Sequence, residues 1–143
     1  MKYSGNGNTQ SKEKADRKDY YNPIGGHIEA GEDVIECARK EAMEEAGITL
    51  LRPKIKGIVN GSGFGGKNVM NFIVTATTED EPLASSIEGE LHWVKNDEIE
   101  GLRVFADIRP MLDTLQIMKD HEMFVGKVTF DAYELKSLEL TVI

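Results

Sequence analysis

The chain is short of several things. One cysteine, Cys37, stands among 143 residues, so there is no disulfide framework and no cysteine set for zinc. A reducing cytoplasm is the expected compartment, and Cys37 reads as a small semi-buried residue rather than a reactive thiol. No apolar run reaches signal-peptide or transmembrane length. Basic residues are outnumbered, with 17 Lys and Arg against 25 Asp and Glu, and the formal charge is −8. An acidic surface gains nothing from a nucleic-acid polymer or an anionic membrane, which excludes both as expected partners. A small nucleotide bridged by a metal ion is still compatible. The length suits one domain with a sizeable core.

What is present concentrates in Gly26 to Ile48, which reads GHIEAGEDVIECARKEAMEEAGI. Asp33 is a good N-cap, and Glu36 three residues later completes a capping-box pair. Gly47 stands where a helix ends in a left-handed residue. Between them Ile35, Ala38, Ala42 and Ala46 recur at helical spacing as a stripe of mostly small residues. Glu41, Glu44 and Glu45 fall at i, i+3 and i+4, so their carboxylates are expected to converge. Their mutual repulsion would be relieved by a divalent cation, and an all-oxygen set favours magnesium or manganese over zinc.

This stretch resembles the Nudix box: glycine, five residues, glutamate, seven residues, then R-E-U-x-E-E-x-G-U with U aliphatic. Gly26, Glu32, Glu41, Ala42, Glu44, Glu45, Gly47 and Ile48 match. Lys40 departs, since the family has an arginine that orients a box glutamate, and lysine keeps the charge without the planar fork. An ordinary acidic helix face is the plain alternative, and the flanking glycines and full spacing decide against it.

Along the chain, residues 1–19 are polar, show no period, and are expected to be a flexible segment ahead of one domain at 20–143. Strands are expected at 20–24, 55–60, 69–76, 91–94, 124–130 and 138–142, with a glycine-rich tip at 61–66 and a polar turn region at 96–102. Helical spacing appears in the box, roughly 33–46, and at 107–120. Two helices among five or six strands indicate a mixed α/β (α+β) sandwich.

Other motifs are weaker. GSGFGGKN at 61–68 nearly satisfies two phosphate-loop patterns, but both need a helix to follow, and a strand-like run does; it reads as a hairpin loop. Glu88 and Glu90 precede a strand bearing Trp93, similar to the MutT-like branch, where such a glutamate joins the metal site or acts as base. Glu90 is the first choice and Glu88 the second. Trp93 is expected in the core. Tyr21-Asn22-Pro23-Ile24-Gly25-Gly26 is similar to the approach segment of the oxidised-purine nucleoside triphosphatases, a resemblance that implies a base-reading amide at Asn22, where a plain pre-proline turn residue is the alternative. Phe124-Val125-Gly126 and the strand after it resemble the same subgroup. Asp107 is the nearest candidate for an acidic residue on the base and equally a helix N-cap. His27, His92 and His121 show no metal or triad spacing.

The resemblance implies a Nudix fold and metal-assisted substitution at phosphorus in a nucleoside diphosphate linked to another group. Magnesium, or manganese, would be held by Glu41, Glu44 and Glu45 with a carbonyl of Gly25 or Gly26. Glu41 or Glu90 would accept the proton of the attacking water. The expected substrate is a purine (deoxy)nucleoside triphosphate, giving monophosphate and pyrophosphate. The rivals are a silent nucleotide- or protein-binding domain and a hydrolase of ADP-ribose or sugar nucleotides. Fewer residues precede the box than an apolar hairpin needs, so the chain reads as an N-terminally shortened domain, expected to form homodimers, swap strands or aggregate.

Overall fold

The computed structural model describes residues 2–5, 20–86 and 89–143. The fold is mixed α+β, and the chain divides into two compact units. The first comprises 1–52 and 76–105, the second 53–75 and 106–143, so one stretch of the first unit is inserted into the second.

In the first unit, β1 (Lys2–Gly5), β2 (Tyr21–Pro23), β5 (Ser85–Ser86) and β6 (Gly89–Trp93) form a sheet of order β2-β1-β6-β5. All three pairings are antiparallel. The strand at Lys2–Gly5 falls inside the segment read from sequence as irregular. Helix α1 (Val34–Ala46) packs against this sheet. Its small residues Ala42 and Ala46 lie in a buried cluster with Ile48 and Leu91, flanked by Ile24 and Leu50. Asn96–Gly101 is a 3₁₀ helix, not the plain turn expected.

In the second unit, β3 (Leu51–Phe64), β4 (Lys67–Thr77), β7 (Phe124–Asp131) and β8 (Glu134–Val142) make a sheet of order β4-β3-β7-β8. β3 and β7 are parallel, while β7 and β8 form an antiparallel pair. The core gathers Val59, Met111, Phe124, Val128 and Phe130. Helix α2 (Ile108–Ile117) supplies Met111. It stops three residues earlier than its apolar spacing suggested, and Ile117 is exposed.

The glycine tip is tighter than a 61–66 loop. β3 runs on to Phe64, and the turn is confined to Gly65 and Gly66, both at positive φ. Lys67 opens a strand, so no helix follows and the phosphate-loop pattern has no helix N-terminus to use. Gly57 is needed for close packing, since a Cβ there would overlap the ring of Phe124.

One buried cation organises the connection between α2 and β7. Lys56 is 8% exposed, and its Nζ donates to the carbonyls of Lys119 and Asp120, each at 3.0 Å, and of Glu122. Neighbouring Lys54 grips both carboxylate oxygens of Asp120 at 2.6 Å, holding that carboxyl below its usual range, but this pair is exposed. Replacing Lys56 with methionine keeps the stem and strips three carbonyls of their donor. Lys56→Met should lower the unfolding free energy by about 1–3 kcal/mol, read from the urea midpoint. Lys54→Ala should cost less than about 1 kcal/mol.

Candidate active site

The box helix is fixed at both ends by local chemistry. Asp33 Oδ1 accepts from the backbone N–H groups of Ile35 and Glu36 at 2.8 Å, and Glu36 returns the bond to the Asp33 N–H at 2.8 Å. These satisfy N–H groups that a helix start otherwise leaves bare. Gly47 closes the other end at φ 64°, ψ 28°, with its N–H on carbonyls of the last turn. Caps at both ends hold the register of the glutamates.

Glu41 occupies the inner rim of the site. A Cβ built on Gly26 would overlap its carboxylate, so the missing side chain of Gly26 is the space that Glu41 fills. Gly25, beside it, is exposed and meets nothing in that way. Three box glutamates stand at graded depth. Glu41 is 15% exposed at its side chain, Glu44 is exposed, and Glu45 is buried at 5%. Their spacing predicted converging carboxylates, yet among the described residues no three Asp, Glu, His or Cys side chains are gathered in metal-holding geometry.

Lys40 sits beside this group as a shared cation. Its Nζ is 2.8 Å from Glu32 Oε1, 3.4 Å from Glu29 Oε2 and 3.7 Å from Glu41 Oε1. The hydrogen bond to Glu32 raises the Lys40 pKa and, in return, lowers that of Glu32. Glu32 Oε1 also accepts from the Glu29 N–H at 2.7 Å. Lysine thus keeps the ionic link to the box carboxylates that the family assigns to arginine. Glu29 escaped the sequence reading. Its signal was a second carboxylate three residues before Glu32, in a turn with one basic neighbour to share.

Cys37 offers no soft ligand. It is buried, donates to the His27 carbonyl at 3.5 Å, and burial pushes its thiol pKa up. The donors at hand are therefore oxygens: Glu41, Glu44, Glu45 and the Gly26 carbonyl. In donor chemistry alone, such a set suits a hard cation.

The remaining candidates divide between two faces of the first unit's sheet. Ser4 pairs with both Asn22 and Leu91, so these two stand in one cross-strand row. Leu91 packs against α1, which puts Asn22 on the box side. Glu90 alternates to the opposite face, where it is 79% exposed and 3.3 Å from His92 Nε2. His92 meets the Tyr21 ring edge at 5.9 Å. The structure therefore does not bring Glu90 to the box carboxylates, and Glu88 lies outside the described residues. Trp93, expected in the core, is 52% exposed. Asp107 holds the N-cap position of α2 without a capping bond, and burial raises its pKa.

A capped helix that presents glutamates beside a diglycine segment is the arrangement of a hydrolase of the pyrophosphate-cleaving class. The chain belongs to the Nudix family: the family model described as NUDIX domain matches residues 9–115. Its relatives agree. It is 27% identical to an uncharacterised Nudix hydrolase of Bacillus subtilis strain 168, YvcI, over 130 residues, which are 87% of this chain and 81% of that protein. Among solved structures, the MutT protein from Bacillus halodurans superposes with a TM-score of 0.80 at 30% identity, covering 97% of this chain and 88% of the other. As a family member it is a pyrophosphohydrolase, and the family acts on nucleotides with divalent cations.

The close approach at Gly26 yields a test. Gly26→Ala should displace Glu41 and lower turnover about 10²-fold, with unchanged circular dichroism. Turnover within twofold of the parent would show that the carboxylate needs no such seat.

Proposed function

We propose that the protein hydrolyses a purine (deoxy)nucleoside triphosphate to the monophosphate and pyrophosphate, with magnesium bound by Glu41, Glu44, Glu45 and the Gly26 carbonyl. The observation that carries this reading is the seat of Glu41 against Gly26 in a helix whose register is locked by both caps. Bound magnesium would neutralise phosphate charge and lower the pKa of an attacking water. Of the two base candidates, Glu41 is favoured by position, because Glu90 faces away from α1. Glu41 accepts the water's proton while the bond between the α- and β-phosphates breaks, and the leaving pyrophosphate carries away the bonding pair. Lys40 keeps Glu32 and Glu41 oriented.

The purine reading rests on Asn22. Its amide can donate to and accept from a purine edge, and its row with Leu91 turns it toward the box. Oxidised purines offer the same kind of edge and belong in the substrate panel.

Purified protein should cleave members of a nucleotide panel only with magnesium or manganese added, releasing pyrophosphate. Glu44→Gln should lower kcat by about 10²-fold or more without loss of fold. Cleavage of nothing in a broad panel, ADP-ribose and sugar nucleotides included, would leave a nucleotide-binding domain in place of an enzyme. Asn22→Ala should raise KM for purine nucleotides about tenfold and leave pyrimidine values within twofold. Equal changes would remove Asn22 from base recognition.

A further inference from the structure

The two sheets treat their edges differently. An unpaired strand edge offers a row of backbone N–H and C=O groups to any second strand, and proteins blunt it with shortness, proline or charge. The first sheet ends in β2 and β5, of three and two residues. The second ends in β8 on one side and β4 on the other. β8 carries exposed Glu134, Lys136 and Glu139, held in ion pairs of Lys136 with Glu134 and Lys127 with Glu139, each at 3.2 Å. β4 has none of these guards. It runs eleven residues, KNVMNFIVTAT, with one charge at its first position, no acid and no proline. Among the described residues it has β3 on one side and no strand on the other.

The strand is also apolar at its surface. Every residue from Lys67 to Phe72 is exposed, on both faces. Val69, Met70 and Phe72 are among the chain's exposed large hydrophobics, Met70 at 55%. Ile73 packs against the core of the second unit, so alternation puts Met70 and Phe72 on the opposite face. An edge that is long, uncharged and apolar is one that pairs with another strand.

We propose that β4 is the pairing surface of a homodimer, joined to the β4 of a second copy as an antiparallel two-fold pair. Charge selects this occupant and its direction. Two copies at −8 each repel over most of their surface, and β4 is an acid-free strip along which they can meet. A parallel pair would set the two Lys67 side chains together. An antiparallel pair centred on Phe72, the midpoint of the strand, parts them by about 34 Å, well beyond the screening length at physiological salt. Lys67 of one protomer then lies by Thr77 of its partner, with Glu79 two residues further along that chain. The same register faces Met70 with Val74 and Phe72 with its own copy. Because β8 is guarded by charge, pairing through β4 closes at two copies and does not propagate. The proposal stands independently of the catalytic reading.

Sedimentation equilibrium of the full chain reads the dimer directly. Twice the chain mass is expected at high protein concentration, falling toward the single mass on dilution. Phe72→Lys sets two cations face to face at the two-fold axis and should weaken the dimer about tenfold or more. Met70→Lys, at the more exposed position, should weaken it in the same direction. Adding Val74→Glu to that variant should restore it, because each new cation then faces a new carboxylate across the interface. A chain that stays monomeric at millimolar concentration overturns the proposal. A dimer indifferent to both lysine variants overturns it too, since it would pair through another surface, and open-ended assemblies overturn the closed two-fold. Orientation is read by cross-linking: Phe72→Cys should form a disulfide dimer under mild oxidation and Lys67→Cys should not, with the buried Cys37 out of reach in both. The reverse result means a parallel pair and overturns the charge argument. Should Phe72→Lys not fold, Met70→Lys and the mass of the parent protein decide.

Discussion

The contact of Ala42 and Ala46 with Leu91 and Ile48 governs the rest of the first unit. Only small side chains on that stripe let α1 lie close to the sheet. Close approach sets how deep each glutamate sits: Glu45 is drawn in, Glu41 is held at the rim, and Glu44 remains in solvent. Capping prevents the helix from trading this contact for one shifted along its axis. Packing, termini and carboxylate positions are therefore one problem with one solution.

An acidic protein that handles a polyanion must manage repulsion twice, inside its own site and against the ligand. Within the site Lys40 does the first part, as a point charge among Glu29, Glu32 and Glu41. An ammonium serves three oxygens that approach from different sides, which a planar guanidinium does less easily. The formal charge of −8 makes the second part a task for cations. The family's use of divalent ions answers that need.

The features legible in the sequence were those set by neighbours in the chain. Asp33, Glu36 and Gly47 fixed the ends of α1 because caps involve residues three or four apart. Alternation located every strand of the second unit, although β3 began earlier and ran through the glycines. Gly57 and Gly63 interrupted the apolar pattern for reasons seen only in three dimensions. One faces the Phe124 ring, and the other, at φ +84°, would place a Cβ against the Phe130 carbonyl. The illegible features depended on distant partners. Nothing near Lys56 in sequence announces three carbonyls at 119–122. Trp93 reads as core by residue type, yet it is half exposed. The spacing of Glu41, Glu44 and Glu45 did not announce their different depths, and only pairing across β1 separates Asn22 from Glu90.

The insertion of 76–105 between the two halves of the second unit bears on the order of folding. Its parallel pair joins Gly57 to Phe124 across the whole inserted stretch. A coil of that length must have its ends brought together before any ladder bond or core contact compensates, and the entropic cost grows with the loop's length. Compaction of the inserted stretch shortens the effective loop. The two halves would then meet late, so the parallel ladder is the slow step in assembling this chain.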